Sequence, residues 1–589
     1  MKISNFEKFP ALTIEGHTCI SGWAAICACI TEHIQQNNSS VIAIDTYLGV
    51  YANEIEKQLQ DILAPVQILR TEKSFLSAAQ LHEMIYPFVT DDPVFGFMSG
   101  FKLTDFLDPE KLEARQKEIA AVAAGLVIVV GPGASLVAPD ATLLIYADMP
   151  RWEIQQRFRA NRISNLGTEN QNDEVSYQYK RAFFVDWRTL DRHKKNIWTA
   201  VDYFLDTTVP DQPKMISSAT VNYALATAVS RPFRVVPFFD PGPWGGQWLK
   251  EVCDLDRSKP NYAWGFDCVP EENSLLFRFG EEVFEMPAIN LVFRHPESLL
   301  GEEVFNAFRY EFPIRFDFLD TMDGGNLSLQ VHPLRAYIKE HFGMAYTQDE
   351  SYYFMEARDQ AFVYLGLKEN IAAIEMLAEL QQAQEGVQPF DAERFVEKWP
   401  VKKHDHILIP AGTVHCSGAE SVVLEISATP FIFTFKLWDW GRMGLDGKPR
   451  PISLEHGKKV IQWDRTSSWT KANLINQVVP IAAGEGWREE KTGLHEGFFI
   501  ETRRHWFTGT VPHHTNGMVN VLNLIEGSSI LVESPTAAFE PYRIHYAETF
   551  IVPAAVGAYT IKPYGESQGK TCATIKAYVR TENLTNYKL

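Results

Sequence analysis

Two stretches decide how the C-terminal part of this chain is read: Leu327-Ser-Leu-Gln-Val-His-Pro333 and His406-Ile-Leu-Ile-Pro-Ala-Gly-Thr-Val-His415. Side chains alternate between the two faces of a strand, so Ser328, Gln330 and His332 point the same way. The second stretch reads as a strand running into a Pro-Ala turn that delivers His415. Between them Glu350 opens an apolar, aromatic run, Glu350-Ser-Tyr-Tyr-Phe-Met355. Two imidazoles, a carboxylate and an amide oxygen suit Zn²⁺ as a borderline Lewis acid, with positions left for water or substrate. Gln330, His332, Glu350 and His415 are therefore the candidate ligands of one metal ion.

These strands belong to a long β region. From about Arg231 proline, glycine and aromatic residues become frequent and short strands follow one another, the pattern of a sandwich or jelly roll. A helical insertion is expected at about 370–400. There Asn370 is placed to cap a helix carrying Ile371, Ile374, Leu377 and Leu380, and a second helix is expected over Asp391 to Trp399. Strands resume after Lys471. Thr549-Phe-Ile-Val-Pro-Ala-Ala-Val-Gly-Ala558 echoes His406 to His415, with Ala558 in place of the turn histidine. Such an internal repeat predicts two similar β domains, 215–470 and 471–589, the second without metal.

Ahead of them, residues 1–214 alternate short apolar strands with amphipathic helices. Val41-Ile-Ala-Ile44, Gly125-Leu-Val-Ile-Val-Val130 and Thr142-Leu-Leu-Ile-Tyr146 read as buried parallel strands, which predicts an α/β domain. The expected class is multi-domain, as a chain of 589 residues is too long for one core. The balance of 55 Lys and Arg against 74 Asp and Glu gives −19, an acidic surface that argues against nucleic-acid and anionic-membrane partners. Seven cysteines without a CxxC pair do not form a disulfide framework. Met1-Lys-Ile-Ser-Asn-Phe-Glu-Lys8 lacks a basic start followed by an apolar run. No apolar stretch approaches the roughly 20 residues of a spanning helix. A cytoplasmic location is the expectation.

Further pieces fall in order around the ligand motifs: Trp244-Gly-Gly246, Phe312-Pro313 ahead of Leu319-Asp320, Tyr364-Leu-Gly-Leu-Lys368, and Lys436-Leu-Trp-Asp-Trp-Gly-Arg442. Together they resemble type I mannose-6-phosphate isomerases over roughly residues 231–589. The resemblance implies two cupin domains, one zinc per chain on Gln330, His332, Glu350 and His415, and a sugar phosphate as small-molecule partner. The implied reaction interconverts mannose 6-phosphate and fructose 6-phosphate by moving a proton between C1 and C2 through an enediol. Glu425, on Val422-Val-Leu-Glu-Ile426, matches an acidic family residue and is the candidate for acid–base work. Lys436 stands where the family usually has an arginine over the reacting carbons. Ser328 and Lys339 match positions of substrate or phosphate contact.

Three basic positions depart from the family pattern. The Lys-Thr-Glu triplet before the zinc glutamate is Gln348-Asp349-Glu350 here, and Lys436 lacks the planar fork of arginine. A strand lysine is replaced by Asp317, with Arg315 on the same face as its candidate substitute in substrate binding. An isomerase for a related sugar phosphate, a non-catalytic sugar-phosphate-binding cupin with a regulatory N-terminal domain, and a bifunctional kinase–isomerase stay open. In residues 1–214, Glu15-Gly-His-Thr-Cys-Ile-Ser-Gly-Trp-Ala24 sits where a phosphate loop would belong. Its glycines are spaced one residue too far apart, and Trp23 replaces the lysine. Ile44-Asp-Thr-Tyr47 and the helix Arg151 to Arg162 resemble P-loop kinases of the uridine-kinase type, which implies a degenerate kinase-like domain without phosphotransfer.

Overall fold

The computed structural model describes residues 4–37, 40–428, 432–444, 447, 450–493, 495 and 497–586. Two compact units result, one of Ala11–Ala226 with Ser274–Phe293, the other of Met1–Pro10, Thr227–Asn273 and Arg294–Leu589. No helix among the described residues is long and apolar enough to cross a membrane.

The first unit is built on a seven-stranded sheet. Its order is Ile20–Ser21, Lys214–Ser217, Tyr203–Asp206, Leu143–Asp148, Val41–Thr46, Val127–Gly131, Gln67–Arg70. The five strands from Tyr203–Asp206 to Gln67–Arg70 are parallel, and Lys214–Ser217 runs antiparallel beyond them. Ile42, Ile44, Ile128, Val130, Leu143 and Ile145 are all buried. Their continuous apolar runs suit strands covered on both faces. The Gly16–Trp23 loop carries Ile20–Ser21 at the far edge of this sheet, where Ser21 pairs with Lys214 and Lys214 with Asp206, so Gly22 and Trp23 follow at the level of the carboxyl ends of the parallel strands. Ala11–Thr13, which precedes it, pairs with Ser274–Phe279 in a separate sheet, and Ile20–Ser21 pairs antiparallel at the far edge. Phosphate loops in open α/β sheets sit at the carboxyl end of a parallel strand.

The second unit contains two antiparallel β assemblies. In the first, a six-stranded sheet runs His406–Ile409, Glu350–Ala357, Ser421–Ala428, Ile314–Asp320, Trp264–Cys268, Phe238–Asp240. A five-stranded sheet runs Val396–Pro400, Phe362–Leu367, His415–Ser417, Leu329–Val331, Phe435–Trp438. The second assembly repeats the plan. Its six-stranded sheet runs Val479–Gly484, Trp487–Gly493, Ile500–Phe507, Cys572–Val579, Asn520–Glu526, Thr549–Val552. A four-stranded sheet of Val511–His514, Ala558–Pro563, Ser529–Glu533 and Tyr542–His545 closes it. A core of Leu522, Leu524, Phe550 and Cys572 from the first of these sheets with Val511, Ile530, Ile544 and Ile561 from the other joins the two.

The insertion differs from its expectation in two ways. Asn370 adopts a left-handed turn, φ +59°, and the helix Ala373–Gln384 starts after Ala372 instead. Its buried stripe is Met376, Leu380 and Ala383, while Ile374 is 80% exposed. The second expected helix is one turn, Ala392–Phe395, continued by strand Val396–Pro400 against Phe362–Leu367. Val396 and Trp399 fit a pleated edge, and pairing with an existing strand overrides local helix preference.

Trp244-Gly245-Gly246 is required by close backbone approach. Gly246 bridges Tyr262, and a Cβ on Gly246 would stand 2.6 Å from the Met322 carbonyl oxygen. Gly246→Ala is expected to cost about 2 kcal/mol through overpacking, measured from urea unfolding. Gly100→Ala, where a Cβ meets nothing within 4 Å, should stay within about 0.5 kcal/mol. Equal stabilities for the two variants would contradict the packing argument.

Candidate metal centre

Register builds the centre from both sheets of the first assembly. His415, Gln330 and Lys436 form a cross-strand row, since Gln330 pairs with His415 on one side and Lys436 on the other. His332 follows two residues after Gln330, on the same face. From the six-stranded sheet, Glu350 reaches across to them. Its Oε2 lies 3.1 Å from His332 Nε2 and its Oε1 2.8 Å from His415 Nε2. The Gln330 amide is 3.3 Å from His415 Nε2. His332, Glu350 and His415 bring one potential ligand atom each within 4.8 Å of one another, and all three are buried.

Donor chemistry decides what fits there. His332 Nδ1 lies 3.1 Å from the Phe433 carbonyl oxygen and His415 Nδ1 2.8 Å from that of Thr413. A carbonyl only accepts, so each Nδ1 carries its hydrogen and each neutral ring turns a bare Nε2 lone pair toward Glu350. Acceptor then faces acceptor, and His332 Nε2 and Glu350 Oε1 are buried without a hydrogen-bond partner. A cation between them resolves the conflict. Zinc bonds of about 2.0–2.1 Å would set tetrahedral donors roughly 3.3 Å apart, close to the spacing seen. The residues fit a metal of this class.

Behind the centre lies a second set of buried charges. Asp317, Glu425 and Tyr352 form another cross-strand row. Arg315 donates to Asp317 at 2.8 Å and lies 3.8 Å from Glu425. Gln348 donates to Glu350 at 2.9 Å and to Glu425 at 3.4 Å. Burial, reinforced by the charges of Asp317 and Glu350, pushes Glu425 well above the usual carboxyl range against the pull of Arg315. Burial likewise pushes Asp317 up to about 6.

On the other flank stands a basic cluster. Ser328 donates to Asp439 at 3.1 Å, and Asp439 also takes Arg442 at 2.5 Å and Arg450 at 2.6 Å. Lys436 has no hydrogen-bond or ion-pair partner among the described residues, and burial first, then Arg450, pushes it down to about 8. The structure thus gathers Gln330, His332, Glu350, His415, Glu425, Lys436, Ser328 and Arg315 into one region. Lys339 is apart, on the exposed side of helix Arg335–Phe342 and outside the bonds that tie the cluster together. Asp439, Arg450 and the hydroxyl of Tyr352 escaped sequence reasoning. The signal for Asp439 was present in the Lys436 to Arg442 motif, whereas Arg450 reaches Ser328 from beyond it.

The α/β unit has its own cluster, at the carboxyl ends of its parallel strands. The turn Gly131-Pro-Gly-Ala-Ser135 wraps the Asp45 carboxylate, which accepts Gly133 N–H at 2.8 Å, Ser135 N–H at 3.1 Å and Ser135 Oγ at 2.6 Å. His193 Nε2 is 2.8 Å away on the same carboxylate. Lys194 reaches Asp148 at 2.9 Å, and Arg151 reaches Asp191 at 2.6 Å. The donors that would cradle an incoming anion are occupied by the chain's own carboxylate.

Residues 22–230 match a family model described as a domain of unknown function (DUF8485). Over about half of its length the chain is also similar to mannose-6-phosphate isomerases. That of Streptococcus mutans serotype c is 23% identical over 318 residues, covering 54% of this chain and 90% of the relative. ManA of Bacillus subtilis is 23% identical over 234 residues, covering 40% and 69%. Among solved structures, the mannose 6-phosphate isomerase from Bacillus subtilis matches with TM-score 0.48 and 17% identity, covering 59% of this chain and 100% of that one. Homology to these isomerases thus extends over about 55–60% of the chain.

Asp439 is the acceptor that holds the basic flank together. Asp439→Ala is expected to lose about 3 kcal/mol by leaving Arg442 and Arg450 without their buried counter-ion. Asp439→Asn, which keeps shape and one acceptor oxygen, should lose less. Chemical denaturation with an unchanged midpoint for Asp439→Ala would overturn the assignment.

Proposed function

We propose that the first β assembly is a zinc-dependent aldose–ketose isomerase acting on mannose 6-phosphate and fructose 6-phosphate, with one zinc per chain. The observation that carries this reading is the convergence of Gln330, His332, Glu350 and His415 beside the unpartnered Lys436, inside the stretch similar to mannose-6-phosphate isomerases. The zinc, when bound, supplies polarisation of the substrate oxygens at C1 and C2.

The chain's own residues supply the rest. Glu425 moves the proton between C1 and C2, because its raised affinity for a proton suits a group that must both take and return one near neutrality. Gln348 and Arg315 hold that carboxyl from two sides, so Arg315 is read as positioning Glu425 more than touching substrate. Lys436 stabilises negative charge developing on the enediol oxygens. Ser328, with Arg450 and Arg442 behind it, receives the phosphate, and Lys339 attracts it from the rim. The partner in this reading is a small sugar phosphate, handled in the cytoplasm without nucleic acid or membrane.

Residues 1–214 are read as a kinase-like α/β scaffold that has lost phosphotransfer. Trp23 cannot supply the charge of the loop lysine, and Asp45 fills the turn that would hold an anion.

Metal analysis of the purified chain should give one zinc, and His332→Ala and His415→Ala should each strip it. Glu425→Gln should keep the zinc and lower kcat for mannose 6-phosphate by about 10²–10⁴-fold. Unchanged zinc in both histidine variants would sink the metal assignment. Zinc-loaded protein that binds hexose 6-phosphates without converting them would favour the binding-protein reading.

The full chain incubated with ATP and magnesium should release no phosphate and phosphorylate no sugar or nucleoside above a blank. Magnesium-dependent turnover that persists in His332→Ala would show a working phosphotransferase in the α/β unit.

A further inference from the structure

The two β assemblies can be superposed residue by residue through strand register. Pro410 and Pro553 end equivalent strands. Glu350 pairs with Ile409 just before the first, and Asn520 with Val552 just before the second. Tyr352 pairs with Glu425, as Leu522 does with Lys576. Glu425 pairs in turn with Asp317, as Lys576 does with Arg503. On the facing sheets Gln330 pairs with His415, as His514 does with Ala558. Register therefore equates Glu350 with Asn520, Glu425 with Lys576, Asp317 with Arg503 and His415 with Ala558. Each carboxylate of the first centre is replaced by an amide or a cation.

The substituted residues enclose space. A cavity of about 180 Å³ is lined by Glu489, Arg503, His514, Asn520, Lys576 and Tyr578, among others. At roughly 30 Å³ per water, that is room for a phosphate or carboxylate group on a small polar body. Lys576 is 8% exposed, and its ammonium has no hydrogen-bond or ion-pair partner among the described residues. Arg503 is braced by Glu501 and, at 3.5 Å, by Glu489, while Tyr578 donates to Glu501 at 2.8 Å. Glu489 and Glu501 pair with Arg503, and Glu489 also stands 3.5 Å from His505, so Lys576 feels their charge from a distance but has neither of them in direct contact. A buried ammonium that makes no direct hydrogen bond or ion pair is costly to keep charged, which an anionic ligand in contact with it would offset.

We infer that the second β assembly binds a small anion, a phosphate or carboxylate group, between Lys576 and Arg503, at the place where the first assembly has Glu425 and Asp317. Calorimetric titration of the full chain with inorganic phosphate, and separately with acetate, tests this. One of the two should bind, and the tighter identifies the group. Lys576→Met and Asn520→Asp should each weaken that binding by at least about tenfold, and His415→Ala should leave it unchanged. Asn520→Asp keeps the shape of the site, so it decides the matter if Lys576→Met fails to fold. Absence of binding by the parent chain, equal affinity in Asn520→Asp, or loss of binding in His415→Ala would each overturn the inference.

Discussion

A buried carboxylate set between two imidazole lone pairs is the constraint around which the first β assembly is organised. Glu350 belongs to one sheet, His332 and His415 to the other, so the electrostatic demand for a cation is also a demand that the sheets face each other in one register. A slip of one residue would turn Glu350 away from the interior and bring Ser351 in. The Phe433 and Thr413 carbonyls fix the ring orientations, and the neutral His332 ring is left with an Nε2 lone pair that no protein donor meets. A cation bound there would couple folding to metal binding, since it would resolve the conflict of acceptors in a buried place.

The surrounding charges follow from that choice. A buried Glu350 beside Asp317 and Glu425 concentrates negative charge, and Arg315 answers it from within the same sheet. Gln348 brings donors to two of these carboxylates without adding charge. With a lysine in its place Glu425 would be pulled toward ionisation; with an amide it stays high, so the Gln348 departure bears on proton transfer more than on the metal. Lys436 is kept on the far side of the ligand row, with Asp439 taken up by Arg442 and Arg450.

The grouping of Gln330, His332, Glu350 and His415 was legible because strand alternation and a Pro-Ala turn are local signals, and the similarity to isomerases added order and spacing. The helix boundaries in the insertion were not, because Val396–Pro400 becomes a strand only by meeting Phe362–Leu367. Arg450 was invisible for the same kind of reason: nothing near it in the chain announces that it closes on Ser328. In the α/β unit the parallel strands were read from their apolar runs, while the role of Gly131 to Ser135 emerged only when Asp45 was seen inside the turn. Its partner lies on a different strand, and composition carries no trace of that pairing.

Three polar clusters in one chain separate two kinds of buried charge. Around Asp45 and Asp148 each carboxylate meets backbone donors, a hydroxyl, an imidazole or an ammonium, and the network closes on itself. Such a cluster rigidifies the strand ends and offers nothing to a ligand. At Glu350 a carboxylate meets two imidazoles with an acceptor left unpartnered, and beside the second cavity Lys576 makes no direct ion pair. In the repeated β plan Glu350 corresponds to Asn520 and Glu425 to Lys576, so acidic side chains are exchanged for neutral and basic ones on equivalent strands. The shape of the scaffold is therefore held by the pairing of strands, and the sign of the ligand it calls for is set by a few inward-facing residues that pairing leaves free to change.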